Sequence, residues 1–278
     1  MNITIPKLPL ARFIDNGLDW LTDHIAAVTH ALSAGVGTAI DAMTTALLWL
    51  PPWALIAIVA AIAWRIAGRK VAIWSAAGLL LLWNLRLWDA TVATFVLVLI
   101  STVIAVAIGL PVGIAAALNA RVRRIVMPVL DFMQTMPAFV YLIPAIPFFG
   151  LGVVSASVTT VIFATPPAIR LTILGITQVP ADLIEAADSF GSSRWQKLFK
   201  VQLPMAVPTI MAGVNQTIML ALSMVVIAAM IGAGGLGGEV WRAIQRLQPG
   251  NGFEAGLAIV VLAMILDRIT QRIGQRKY

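Results

Sequence analysis

The sequence predicts an all-α membrane protein, a polytopic bundle of about seven transmembrane helices. Three observations carry that expectation. Of the 278 residues, 60% are hydrophobic and only 11% charged, with a mean hydropathy of +0.94, whereas a soluble domain carries about 25% charged residues. The apolar residues fall in runs long enough to cross a hydrocarbon core of about 30 Å. The basic residues collect between those runs, as in the loops of a membrane protein.

Taken in order, residues 10–43 set Asp15, Asp19, Asp23 and Asp41 among Phe13, Ile14, Leu18, Trp20, Leu21, Ile25 and Leu32. That pattern predicts an amphipathic helical segment lying at the membrane surface. The N-terminus lacks the basic region, apolar core and small-residue cleavage site of a removable signal peptide, so the first span is expected to do the targeting. Seven spans follow at about 45–64, 71–88, 90–118, 125–149, 153–177, 205–233 and 255–270. Pro111, Pro137, Pro144, Pro147, Pro166 and Pro167 fall inside them, which lipid tolerates where neighbouring helices satisfy the freed carbonyls.

Orientation follows from lysine and arginine. With the N-terminus outside and the C-terminus in the cytoplasm, only Lys7, Arg12, Arg86, Arg242 and Arg246 face outward, and 14 of the 19 basic residues lie inside. The 178–204 loop is then cytoplasmic. Seven of nine tryptophans precede residue 89. Trp49, Trp53, Trp64, Trp83 and Trp88 sit near span ends, so interfacial anchoring is preferred to an aromatic box for a quaternary ammonium ligand.

Several chemistries are not expected. The chain has no cysteine, and His24 and His30 have no acidic partner at metal-site spacing, so no metal site is predicted. The net charge of +7 is scattered between apolar runs, which argues against nucleic acid. Gly232, Gly234 and Gly237 fit G-x-G-x-x-G but end an apolar helix with no strand before them, so they read as close helix packing or an outer turn. Gly109 and Gly113 form G-x-x-x-G around Pro111, consistent with a kink or a dimer contact. The five lysines follow Pro6, Arg69, Gln196, Phe199 and Arg276, so no Gly-Lys phosphate loop exists to hold ATP. Asp131, Arg170, Asp267 and Arg268 lie near inner span ends, and Asp131 with Arg170 reads as a structural pair in preference to a proton relay. No carboxylate pair or activated nucleophile stands at catalytic spacing, so no catalytic residue is predicted.

The long inner loop carries the remaining signal. Pro180 suits a first helical turn, Gly191 suits the left-handed residue just past a helix end, and Ser193 with Gln196 has capping-box spacing. Two short helices meeting at Gly191 are expected, with Pro204 interrupting the second before the next span. Helices this short need a surface to dock on. Leu183, Ile184, Ala187 and Phe190 form one apolar stripe. Arg194, Lys197 and Lys200 surround a second patch of Trp195, Leu198 and Phe199. Glu185 is expected to lock the loop by accepting hydrogen bonds or by pairing with a basic residue.

Glu185-Ala186-Ala187, Gly191, Val201, Leu203 and Pro204 resemble the EAA loop of binding-protein-dependent ABC importer permeases. Residues Asp131–Pro144, Pro166–Thr172 and Ala221–Gly237 resemble the glycine betaine, proline betaine and choline permeases of that group. The resemblance implies a type I ABC importer transmembrane domain working by alternating access. It implies that the loop, through Glu185, Ala186, Ala187, Gly191, Leu203 and Pro204, is seated in a groove of an ATPase. It further implies a permease homodimer, two ATPase subunits that use ATP and Mg, and a separate external substrate-binding protein, in the cytoplasmic membrane. The expected division is a 1–44 amphipathic segment on the outer face, two N-terminal transmembrane helices over 45–88, a core permease domain over 89–273 containing the loop, and a 274–278 cytoplasmic tail. Met133, Phe139, Tyr141, Met219 and Met224, from the family-like stretches, are candidate pathway residues. The alternative, an ion-gradient-driven secondary transporter, calls for buried midplane carboxylates that this chain lacks.

Overall fold

The structure, a computed structural model, describes residues 9–274. Lys7, Arg276 and Lys277 of the charge distribution, and 275–278 of the expected tail, lie outside the described residues. Every regular element among the described residues is helical.

Helix α1 runs over Leu10–Trp49, about 60 Å at 1.5 Å per residue. It extends six residues past the amphipathic segment expected to end at 43. Leu50, extended at ψ 134° because it precedes Pro51, stops it. The first expected span, 45–64, is therefore displaced to α2, Pro52–Ala67. Gly68 then turns the chain into α3, Arg69–Asn84. By length and composition, α1 is apolar enough to cross a membrane, yet it packs on α4, α6 and α7 (Trp88–Leu118, Leu142–Phe149 and Val153–Thr177). Its Gly37 lies against Val154, at the first turn of α7. Val36, Ile40, Met43 and Leu47 are the residues α1 turns inward.

Helix α7 is the centre. It packs against both α4 and α10 (Leu203–Ala229). Fully buried Ser101 and Ser157 meet across α4 and α7 with their hydroxyls 3.0 Å apart. Thr159, Thr160, Thr165 and Thr172 each donate to the carbonyl four residues earlier, which keeps these hydroxyls satisfied inside an apolar body. Gly109 and Gly113 also face α7: a Cβ on Gly113 would stand 2.6 Å from the Thr172 Cβ. The G-x-x-x-G pair is therefore a close approach within the chain rather than a dimer contact.

The expected continuous span 125–149 is broken. Helix α5, Ala120–Thr135, stops at Met136, whose ψ of 133° is again that of a residue before proline. A 3₁₀ turn over Ala138–Tyr141 then leads into α6, and the two halves are bent by 111°. The segment still runs antiparallel to α7: Asp131 pairs with Arg170, Tyr141 packs edge-on to Phe163, and the Ala145 carbonyl accepts from Ser155.

After α10 a turn containing Gly232 and Gly234 leads to α11, Gly235–Gln245, and then α12, Pro249–Gly274. A Cβ on Gly237 would stand 2.3 Å from the Val225 carbonyl, and Leu236 N–H donates to Thr94 on α4. The G-x-G-x-x-G run is thus both an end turn and a packing contact. On α12, Asp267 accepts from Asn215 and Gln271, a structural use for one of the suspect charges. Among the described residues, four helices are long and apolar enough to cross a membrane, five counting the broken pair. Helices α2 and α3, at 16 residues, are about 24 Å long, against a hydrocarbon core of about 30 Å. One core cluster draws on α1, α2, α3, α4, α6, α7, α10, α11 and α12, so the segments 45–88 and 89–273 share it. Trp49, Trp53, Trp64 and Trp83 are exposed, but Trp88, expected among the anchors, is buried in this core.

Candidate functional site

At the end of the bundle where α4 and α7 finish and α10 begins, residues 178–202 form a compact structure built from local signals. Val179 and Pro180 lead out of α7, and α8 covers Ala181–Ser189. Its end is closed twice: Ser192 N–H donates to the Ala187 carbonyl and Gly191 N–H to that of Asp188. This reciprocal closure needs a left-handed residue, and Gly191 has φ +71°. Ser193 and Gln196 then form the capping box, each side chain bonding the other's backbone N–H, and α9 covers Arg194–Lys197.

Here the structure departs from expectation at Pro204. The second helix is not interrupted: a π-helical turn over Leu198–Gln202 carries it into α10, with Pro204 in the first turn of that helix. The wider turn accommodates the carbonyls that a proline N–H cannot serve. Leu198, fully buried, packs with Ile176 of α7 and Ala206 of α10, with Ile114, Ala117 and Leu203 around them. The loop is therefore rooted on α4, α7 and α10 together.

Its outward side is open. Ile184 and Ala187 are half-buried, whereas Leu183, Ala186 and Phe190 are exposed, Phe190 to 90%. Trp195 stacks on Phe199 at 5.9 Å, and both rings are largely exposed. Exposed apolar surface of this kind has the chemistry of a docking face. Glu185 is exposed and has no side-chain partner among the described residues; the expected lock is made by Asp188, whose carboxylate accepts from Lys197 at 2.8 Å. No helical i, i+4 spacing announces this pair, since nine residues and the Gly191 turn separate its members.

The other candidates do not form one group. The break at Pro137 brings Tyr141 back onto Met133, the tyrosine hydroxyl donating to the Met133 carbonyl. Phe139 and Met219 are exposed, on the 3₁₀ turn and on α10, two elements that touch. Met224 is fully buried in the core cluster; it packs the subunit and lines no open face. Asp131 and Arg170 do form an ion pair, joining α5 to α7.

The family model described as "Binding-protein-dependent transport system inner membrane component" matches residues 109–277. The glycine betaine transport system permease protein OpuAB of Bacillus subtilis is 53% identical over 273 residues, covering 98% of this chain and 97% of that protein. The glycine betaine/proline betaine transport system permease protein ProW of Escherichia coli is 49% identical over 268 residues, covering 96% and 76%. Among solved structures, an inward-facing conformation of the MetNI methionine ABC transporter aligns with a TM-score of 0.61 at 24% identity, over 66% of this chain and 92% of that one.

Proposed function

The chain belongs to the binding-protein-dependent transport system inner membrane components, and from that premise we propose that it carries a small quaternary ammonium compound across the membrane as the permease of an ABC importer. It is a multi-pass inner membrane protein whose ATP is hydrolysed by separate ATPase subunits and whose substrate is delivered by a binding protein. Glycine betaine, proline betaine and choline define the substrate class; the names of the relatives support the first two.

The observation that carries the mechanism is the continuity of the loop with the two central helices. Helix α8 hangs from the end of α7, and α9 runs without a break into α10. Helices α7 and α10 pack on each other along the bundle. A groove on the ATPase that holds Leu183, Ala186, Ala187 and Phe190 would move both helices when nucleotide binding closes the ATPase pair. In this reading Glu185 faces the ATPase, Gly191 fixes the angle between the short helices, and Leu203 and Pro204 hand the motion to α10. Phe139 and Met219 are pathway candidates, since the exposed ring offers a π face to a cation. The working unit is a homodimer of this chain with two ATPase subunits, the N-terminus outside and the C-terminus in the cytoplasm.

The deciding experiment is reconstitution in proteoliposomes with the ATPase and the binding protein. Uptake of radiolabelled glycine betaine should require ATP and all three components. Uptake by this chain alone under a proton or sodium gradient would overturn the reading.

A further inference from the structure

We propose that the groove between α3 and α12 is a binding site for an anionic phospholipid of the leaflet facing the loop end of the bundle. The groove has a volume of about 830 Å3. It opens at the Gly68 turn and closes where α3 and α12 come together: a Cβ on Gly78 would lie 2.7 Å from Val261 Cγ1. It sits at the loop end, because Gly274, which closes α12, packs on Met211 in the early part of α10.

Its mouth and its floor differ in chemistry. Arg69 and Lys70 enter from the first turn of α3, and Arg268 and Arg272, four residues apart, from α12. Among the described residues, no carboxylate lines the groove. None of the four cations belongs to an ion pair among the described residues, where the pairs are Arg170 with Asp131, Lys197 with Asp188 and Arg242 with Glu239. The α3 N-terminus adds to the positive field, having neither a side-chain cap nor an acidic residue in its first turn. Below the mouth the wall becomes apolar: Trp74 is 78% exposed, and Met264, Leu81 and Val261 continue it.

From Arg69 to Leu81 the helix rises about 18 Å, close to the half-thickness of about 15 Å of a bilayer core. Four cations above an apolar trough of one leaflet's depth match an amphiphile with an anionic head and acyl tails. Basic pockets between transmembrane helices take such headgroups. A free phosphate would satisfy the mouth and leave Trp74 and Met264 without an occupant. The proposal does not depend on which solute is carried, and its test does not read transport, so its failure would leave the permease assignment untouched.

The test uses the full chain in lipid nanodiscs doped with phosphatidylglycerol or phosphatidylcholine carrying brominated acyl chains, which quench tryptophan on contact. The Trp74 signal is obtained by subtracting the Trp74→Phe variant. Brominated phosphatidylglycerol should quench Trp74 at a mole fraction more than about 25-fold lower than brominated phosphatidylcholine, about fivefold for each mouth cation engaged. The Arg268→Gln, Arg272→Gln double variant should lose that preference by roughly 25-fold, about fivefold for each cation removed. Lys70→Gln, a milder change, should lose it by about fivefold, and added glycerol phosphate should not compete. Equal quenching by the two lipids would overturn the proposal, as would a preference unmoved by the charge variants. Competition by glycerol phosphate would assign the mouth to a free anion. Protection of Trp74 from both lipids would assign the groove to a second copy of the chain.

Discussion

Lys197 reaches back across the Gly191 turn to Asp188, its ammonium 2.6 Å from one carboxylate oxygen and 2.8 Å from the other, and so ties α9 to α8. Lys197 is mostly shielded while Asp188 is half-exposed. An ion pair this open contributes at most about 1 kcal/mol, too little to hold the subunit together. Its consequence is angular: it fixes how the face carrying Leu183 and Phe190 sits relative to the helix that continues into α10. Lys197→Gln should therefore express, insert and melt like the parent, and lose much of the substrate-stimulated ATPase of the assembled importer. The swapped double variant Asp188→Lys, Lys197→Asp should recover part of it. A swap no better than Lys197→Gln would show that pairing is not what the loop requires.

Gly191 gives a cleaner test of geometry. A Cβ there meets nothing within 4 Å, so substitution costs only the left-handed backbone at φ +71°, about 1 kcal/mol for an ordinary side chain. Gly191→Val should fold and lose coupling, whereas Gly191→Asn should retain more, since asparagine tolerates that conformation. Equal activity in both, measured as ATP-dependent uptake, would remove the turn from the mechanism.

Glu185 makes the opposite prediction. Because it is exposed and has no side-chain partner among the described residues, Glu185→Ala should leave the melting temperature of the isolated permease unchanged. Any defect should emerge only when the ATPase is added, as weaker association in a pull-down. A drop in stability of the permease alone would place its role inside the subunit.

Gly113→Ala should behave as a core lesion. Its methyl would stand 2.6 Å from the Thr172 Cβ and 3.0 Å from the Ile169 carbonyl, and backbone cannot yield cheaply. Overpacking of this kind costs about 1 to 3 kcal/mol. Thermal melts in detergent should rank Gly113→Ala well below Gly191→Ala, and the reverse order would contradict the α4–α7 packing.

Orientation can be read directly. Reporter fusions after Lys70, Arg124 and Lys200 should register cytoplasm, and fusions near Gly152 and Gly250 the outside. The reversed pattern would turn the loop away from ATP and sink the importer mechanism.

The sequence by itself determined the class of the molecule and the local form of its loop. Composition excludes a soluble fold, and the turn at Gly191 and the capping box at Ser193 are encoded by neighbours within a few residues. The loop's likeness to importer permeases was likewise legible, because the residues that carry it lie within one continuous stretch of the chain. What depends on distant residues was not. That Gly113 faces Thr172, that Trp88 and Met224 are buried, and that Asp188 rather than Glu185 holds the loop all follow from which helix lies beside which. Apolar periodicity in a membrane protein does not specify that, since lipid and protein interior are equally apolar. The breaks at Pro51 and Pro137 show the same division. Each proline was visible, but whether it kinks, ends or merely begins a helix is decided by the helices that satisfy the carbonyls around it, which is why Pro204 starts α10 where an interruption was expected.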